Sequence, residues 1–311
     1  MTDRSAIADA AARIAPYIRE TPILNLPADQ LGLACAVTLK LELLQVTGSF
    51  KPRGAFNTML AGPVPAAGVV TASGGNHGAA VAHAARVLGH TATIFCPTSI
   101  PAPKAARIEA AGATLRRHGS RYDEARAASE AHAAATGAAL VHAYDQPEIL
   151  AGQGTVGQEL ARQAPDLTHL LVAVGGGGLI GGIAAHYADQ GVQVIAVESE
   201  GCPTLHAALA AGRPVQVSVA GLAADSLGAT TIGALGFAVA ARHLAGSVLV
   251  PDIAIRQAQR ILWQALRLVV EPGGAAALAA LLTGAVVPPP QARIGVLVCG
   301  SNADPAGIID A

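Results

Sequence analysis

A lysine set between a small-residue turn and a helix start can do covalent chemistry. The run Thr47-Gly48-Ser49-Phe50-Lys51-Pro52-Arg53-Gly54-Ala55-Phe56-Asn57 has that form. Pro52 suits the first helical position, because its φ is already helical and its missing N–H would have had no partner there. The neighbours are small or apolar, so the Lys51 amine is expected to be shielded from water. Shielding disfavours the ammonium and leaves a nucleophilic amine near neutral pH, able to form an imine with an aldehyde. The plainer reading of this run alone is a surface lysine at a helix N-terminus.

Three glycine-bearing turns accompany it. Leu170-Leu171-Val172-Ala173-Val174 reads as a buried strand, followed by Gly175-Gly176-Gly177-Gly178 and a helix opening at Leu179. Such a turn lets backbone amides converge at a helix N-terminus, where a phosphate is the natural guest. No Lys-Ser/Thr pair follows, so it is not a Walker loop, and Glu198 alone does not make a dinucleotide fingerprint. Close helix–strand packing is the plainer alternative. Val69–Ala72 is a second strand, and Ser73-Gly74-Gly75-Asn76-His77 follows it. A hydroxyl, an amide side chain and free N–H groups there suit a carboxylate and a neutral polar partner. A helix cap by Ser73 or Asn76 is the plain alternative. Val296–Asn302 repeats the pattern around Cys299.

In this order and spacing the motifs resemble the serine/threonine dehydratase family of fold-type II pyridoxal-phosphate enzymes, which also contains serine racemase, from about Thr21 to Asn302. The resemblance implies pyridoxal phosphate bound as a Schiff base to Lys51, with Phe50 beside it. By the same resemblance Gly175, Gly176, Gly177, Gly178 and Leu179 bind the phosphate, and Asn76 hydrogen-bonds the ring 3-oxygen. Ser73, Gly74, Gly75, Asn76 and His77 form the substrate-carboxylate loop. Cys299 falls against the pyridine nitrogen, and a neutral partner there favours β-elimination over transamination. The implied reaction removes water from a β-hydroxy amino acid such as L-threonine or L-serine, giving a 2-oxo acid and ammonia, with Lys51 as base. Racemisation or β-replacement on the same fold is the first alternative. A non-catalytic pyridoxal-phosphate or nucleotide-binding protein is the alternative of another class.

The sequence departs from the family pattern in three places. Racemases carry a second serine where this chain has Gly74, so racemisation is expected to be poor. Metal-dependent relatives place a carboxylate where Thr204 stands, so no metal is expected and Glu198 reads as a solvated surface residue. Ala223-Ala224-Asp225-Ser226-Leu227-Gly228 differs from the common loop, with Asp225 reading as a helix N-cap or a substrate contact. Tyr144 is expected at the pocket wall. Glu271 before Pro272 matches a family glutamate and reads mainly as a helix-start residue, with a site role as the alternative; Trp263 reads as core, and His83, His90 and His118 as ordinary helix or loop residues.

The elements that must position these residues are legible as alternating strands and helices. Strands are predicted near Val37–Leu41, Val69–Ala72, Thr91–Cys96, Leu170–Val174, Gln193–Val197, Val248–Val250 and Gly295–Val298. Helices are predicted near Ser5–Ile18, Asn76–Leu88, Lys104–Ala111, Tyr122–Ala135, Gly154–Arg162, Leu179–Ala188, Ile253–Val269 and Gly274–Leu282. Such alternation means an α/β fold, with parallel sheets covered on both faces and ligands at the carboxyl ends of the strands. The resemblance makes this the tryptophan-synthase-β-like architecture of two open parallel-sheet lobes. It assigns 1–63 and 146–311 to a large cofactor-binding domain and 64–145 to a small mobile one. With 311 residues, 52% hydrophobic and 13% charged, the chain can bury two such cores. A net charge of −1 argues against nucleic acid or an anionic membrane as partner. The partner expected is a small amino acid, within a homodimer. The 4 cysteines have neither metal-ligand nor disulfide spacing, and no signal-peptide core is seen, so the cytoplasm is the expected compartment.

Overall fold

A computed structural model describes residues 2–309. The strands are β1 (Ile23–Leu26), β2 (Val37–Lys40), β3 (Val69–Ala72), β4 (Ala92–Cys96), β5 (Thr114–Arg117), β6 (Ala139–Leu140), β7 (His169–Ala173), β8 (Gln193–Ser199), β9 (Gly246–Val250) and β10 (Ile294–Leu297). The helices are α1 (Arg4–Ile14), α2 (Pro52–Leu60), α3 (Asn76–Leu88), α4 (Ala102–Ala110), α5 (Tyr122–Thr136), α6 (Pro147–Gln163) and α7 (Gly178–Tyr187). They continue with α8 (Thr204–Ala211), α9 (Ala224–Leu227), α10 (Ala234–His243), α11 (Asp252–Leu266), α12 (Pro272–Leu282) and α13 (Ala306–Ile309).

Two sheets result. The larger runs β1-β2-β10-β7-β8-β9 and the smaller β5-β4-β3-β6. Every pairing is parallel except β1 against β2, which is antiparallel. The unbroken apolar run Leu170-Leu171-Val172-Ala173 in β7 is buried throughout, as a strand covered on both faces must be. In the small sheet, Val69 and Ile94 join the core formed with the alanines of α3. Val70, Ala72 and Phe95 join the one formed with α5. Alternate residues of a strand thus serve opposite faces. α12, apolar on every side, is buried along nearly its whole length.

α2 was expected only as a start at Pro52, and its placement is the key to the site. Phe56 and Met59 on this helix pack into the core beneath α3. Its first turn is pinned by Arg53, which is fully buried. Arg53 donates to Glu42 Oε2 at 2.8 Å and Glu42 Oε1 at 2.7 Å, to Glu159 Oε2 at 2.9 Å, and to Thr155 Oγ1 at 3.1 Å. Lys40 Nζ completes the cluster at 2.5 Å from Glu159 Oε1. Two cations thus meet two anions inside the protein. The residue before this helix, Lys51, inherits that rigidity.

Several boundaries differ from expectation. α1 ends at Ile14, with Ala15 still helical as its C-cap, next to Pro16, which has no N–H to continue the helix. α6 begins at Pro147, seven residues before the expected start at Gly154, and runs through Gly152, Gly154 and Gly157. α11 stops at Leu266, where Arg267 turns left-handed (φ 58°), and Trp263 is partly exposed beneath the Arg267 guanidinium rather than in the core. β1, β5, β6, α8 and α10 were not anticipated.

Candidate active site

β3, β7 and β10 end on one cavity of about 520 Å³, a size suited to a small-molecule site. Phe50, Lys51, Ser73, Gly74, Gly75, Asn76, His77, Gly175, Gly176, Gly177, Gly178, Leu179 and Cys299 all line it, so the residues that the resemblance assigns to cofactor and substrate share one cavity.

Lys51 is the N-cap of α2, with its backbone already helical. Its Nζ donates to the Ala143 carbonyl at 2.9 Å and lies 5.2 Å from the Phe50 ring centroid. Burial lowers the amine to about 8, against opposing pulls from Cys299 and Glu271. An uncharged amine is therefore available near neutral pH, as its sequence setting implied.

α7 opens on the same cavity. Its N-cap, Gly177, adopts φ 93°, a backbone state that only glycine takes freely, and no side chain caps the helix. The first intrahelical bond runs from Gly181 N–H to the Gly177 carbonyl at 2.9 Å, so the preceding N–H groups have no acceptor within the helix. A Cβ on Gly176 would fall 2.1 Å from the ring of Tyr144, which does line the cavity. The close approach to Tyr144 bears out the packing reading, and the first amides of α7 remain without a helical acceptor. Glu198 supports this turn from below. It is fully buried, not solvated: it accepts from Leu205 N–H at 2.8 Å and His206 N–H at 2.7 Å. Thr204 Oγ1 lies 3.0 Å from Glu198 Oε1 and 2.7 Å from the Gly175 carbonyl. Burial raises Glu198 to about 7 despite those bonds. The positive end of α8 favours an anion at this position.

On the opposite wall neither Ser73 nor Asn76 caps α3, whose N-cap is Gly75 with no side chain. Ser73 Oγ accepts from Gly75 N–H at 3.2 Å. The His77 ring is directed into the small sheet, its Nε2 3.0 Å from Thr71 Oγ1 and 3.1 Å from the Val141 carbonyl. Burial, and then the charge of Lys51, lower it to about 3, so this ring stays neutral and offers the cavity no proton. Cys299 is buried, with Sγ 3.5 Å from the Gly273 carbonyl. Burial, and then the charge of Glu271, push its thiol up, so it remains protonated.

Three residues were misjudged or undervalued. Asp225 lies within α9 rather than capping it, and its carboxylate pairs with Lys104 of α4 at the cavity mouth. Glu271 is a helix-start residue, but its side chain is buried against the cavity and accepts from Asn76 Nδ2 at 2.7 Å. Asn302, noted only as the end of a motif, donates to Asn76 Oδ1 at 2.7 Å.

A family model described as "Pyridoxal-phosphate dependent enzyme" matches residues 14–300. The chain belongs to this family. It is 37% identical over 302 residues to an L-threonine ammonia-lyase of Geobacter sulfurreducens, covering 96% of this chain and 75% of that one. It is 37% identical over 314 residues to a phenylserine dehydratase of Ralstonia pickettii, covering 98% and 95%. The structure of maize serine racemase superposes with a TM-score of 0.92 at 32% identity, covering 99% of this chain and 96% of that one. Pyridoxal phosphate is the cofactor of this pyridoxal-phosphate-dependent enzyme, and the cavity suits it. The cavity offers a buried amine lowered to about 8 that could take an aldehyde, the uncapped N-terminus of α7 that could take a phosphate, and a protonated thiol. Among the described residues no helix is long and apolar enough to cross a membrane.

Proposed function

We propose that this protein is an ammonia-lyase that eliminates water from a β-hydroxy amino acid such as L-serine or L-threonine, releasing a 2-oxo acid and ammonia. The observation that carries the reading is the Lys51 amine, held in the cavity wall between the Ser73–Asn76 turn and the start of α7. Pyridoxal phosphate, when bound, supplies the electron sink for negative charge at the substrate Cα. Lys51 would hold it covalently, the amides of Gly175, Gly176, Gly177, Gly178 and Leu179 its phosphate, Asn76 its 3-oxygen and Cys299 its ring nitrogen, with Phe50 packed alongside.

The chain's own groups then divide the work. The turn Ser73-Gly74-Gly75-Asn76-His77 binds and orients the substrate carboxylate. Lys51 Nζ, displaced by the substrate amine, takes the Cα proton on one face. The β-hydroxyl departs as water with the proton that Lys51 took from Cα, and the released enamine is hydrolysed by water to the 2-oxo acid and ammonia. Water is excluded by closure of the segment 64–145, which we take as a mobile small domain against a large domain of 1–63 and 146–311. The small sheet lies wholly inside that segment, and Lys104–Asp225 spans the mouth. A homodimer in the cytoplasm completes the reading. A panel of serine, threonine, 3-hydroxyaspartate and an aryl-serine, assayed for 2-oxo acid, tests it. No 2-oxo acid from any of them would sink it.

Elimination rather than racemisation follows from Gly74, which offers no hydroxyl to the face opposite Lys51. Little D-amino acid should form from L-serine while 2-oxo acid accumulates. Gly74→Ser is expected to raise the ratio of racemase to dehydratase activity. The added Cβ would lie 3.0 Å from Ile100 Cδ1, the end of a flexible side chain that can move aside. Chiral chromatography of an early-stopped reaction reads both. Equal rates of D-amino acid and 2-oxo acid from the unmodified protein would overturn the assignment.

Gly176→Asp should weaken pyridoxal phosphate binding at least tenfold. The new carboxylate would repel the phosphate, and its Cβ would collide with Tyr144. Dialysis followed by absorbance checks this. Full cofactor retention would place the phosphate elsewhere.

A further inference from the structure

Asn76 begins α3, a helix of the small-sheet side, yet both partners of its amide come from beyond β9. Its Nδ2 donates to Glu271 Oε1 at 2.7 Å, and its Oδ1 accepts from Asn302 Nδ2 at 2.7 Å. Asn302 Nδ2 also donates to the Thr47 carbonyl at 2.9 Å. A backbone carbonyl can only accept, so the NH₂ of Asn302 must face Thr47 and the Asn76 oxygen. The NH₂ of Asn76 must then lie on the Glu271 side. One of its two N–H bonds is taken by Glu271, and the second is left at the cavity that Asn76 lines. Turning this amide over would set oxygen against oxygen at Glu271 and NH₂ against NH₂ at Asn302.

The surrounding backbone is shaped to keep this chain of bonds. Thr47, a β-branched residue, holds φ 64° and ψ 5°, a left-handed conformation that such residues adopt only under constraint. A Cβ on Gly48 would fall 2.6 Å from Asn302 Oδ1, and one on Gly300 2.0 Å from Glu271 Oε1. Glu271 itself is 4% exposed, and no cation pairs with it among the described residues. A buried carboxyl group is costly unless its hydrogen bonds are needed.

We propose that Glu271 and Asn302 are positioning residues that lock the Asn76 amide in one of its two orientations, so that an N–H rather than the carbonyl oxygen meets the cofactor's ring oxygen. The inference rests on the assignment of Asn76 to that oxygen. It assigns the polarity to hydrogen-bond matching and not to the charge of Glu271.

The test is rebinding of pyridoxal phosphate to cofactor-free protein, read as a dissociation constant and as the pH titration of the visible absorption band. Asn76→Ala, Glu271→Leu and Asn302→Asp should each weaken binding about tenfold and displace the titration in the same direction. Glu271→Gln keeps an acceptor oxygen in place and should stay within about twofold of the unmodified protein. If Glu271→Leu does not fold by circular dichroism, Asn302→Asp carries the test, because it replaces the donor facing Asn76 Oδ1 by an acceptor. Glu271→Leu or Asn302→Asp behaving like the unmodified protein, while Asn76→Ala is impaired, overturns the positioning role. Glu271→Gln as weak as Glu271→Leu overturns it too, in favour of charge. An unimpaired Asn76→Ala removes the underlying assignment instead.

Discussion

Lys51→Ala is expected to lower turnover by roughly 10⁴-fold or more and to leave the cofactor without a covalent bond, while the fold survives. Two functions are lost with one amine: the attachment of the cofactor and the base for the Cα proton. The structural cost is small by comparison. The side chain gives up one hydrogen bond to the Ala143 carbonyl, a loss of about 1 kcal/mol, and its contact with Phe50. Borohydride reduction and peptide mapping should place the cofactor on Lys51 in the unmodified protein and nowhere in the variant. The low pKa adds a second check. With an amine at about 8 against about 10.4 for a surface lysine, Lys51 in cofactor-free protein should be the first lysine acylated at neutral pH. Near-normal turnover in the variant would end the assignment.

Arg53→Met should destabilise the protein by about 3–5 kcal/mol, the cost of removing one partner from a buried ionic cluster. The methionine fills much of the space, so cavity formation contributes little. What remains is electrostatic: Glu42 loses its only ion-pair partner among the described residues, and Glu159 keeps Lys40 alone. Burial of an unpaired carboxylate is the dominant penalty. Urea unfolding of the cofactor-free protein, with unchanged m, measures it. A loss below about 1 kcal/mol would show that the cluster relaxes or admits water.

The contrast between these two residues explains what the sequence disclosed. Lys51, the glycines 175–178 and the Ser73–Asn76 turn announce themselves locally, because a strand, a turn chemistry and a helix start sit in adjacent positions. Arg53 sits two positions from Lys51 but is defined by Glu159, 106 positions away. Glu271 is tied to Asn76 across 195 positions. No local pattern marks such a pair, so Glu271 read as a helix start and Glu198 as surface. Glu198 in fact accepts from first-turn amides of a helix that begins six residues later. Strands were found where both faces are buried and missed where the run is short or polar, as in Thr114-Leu115-Arg116-Arg117. Helices with glycines inside, such as α6, were foreshortened because tertiary packing outweighs intrinsic propensity.

The position of β10 carries a kinetic consequence. Among the described residues it is the last strand, yet it lies between β2 and β7, in the interior of the large sheet. β2 therefore waits for Ile294–Leu297 before its inner edge is satisfied, a contact of very long sequence separation and slow closure. The small sheet, by contrast, is complete once Leu140 has been made. During synthesis the wall bearing Ser73 and Asn76 can form early, while Cys299, Asn302 and the partnered edge of β7 arrive together at the end. The cavity is thus finished by the final insertion of one strand, and no nascent chain shorter than that can hold the cofactor as the complete protein does.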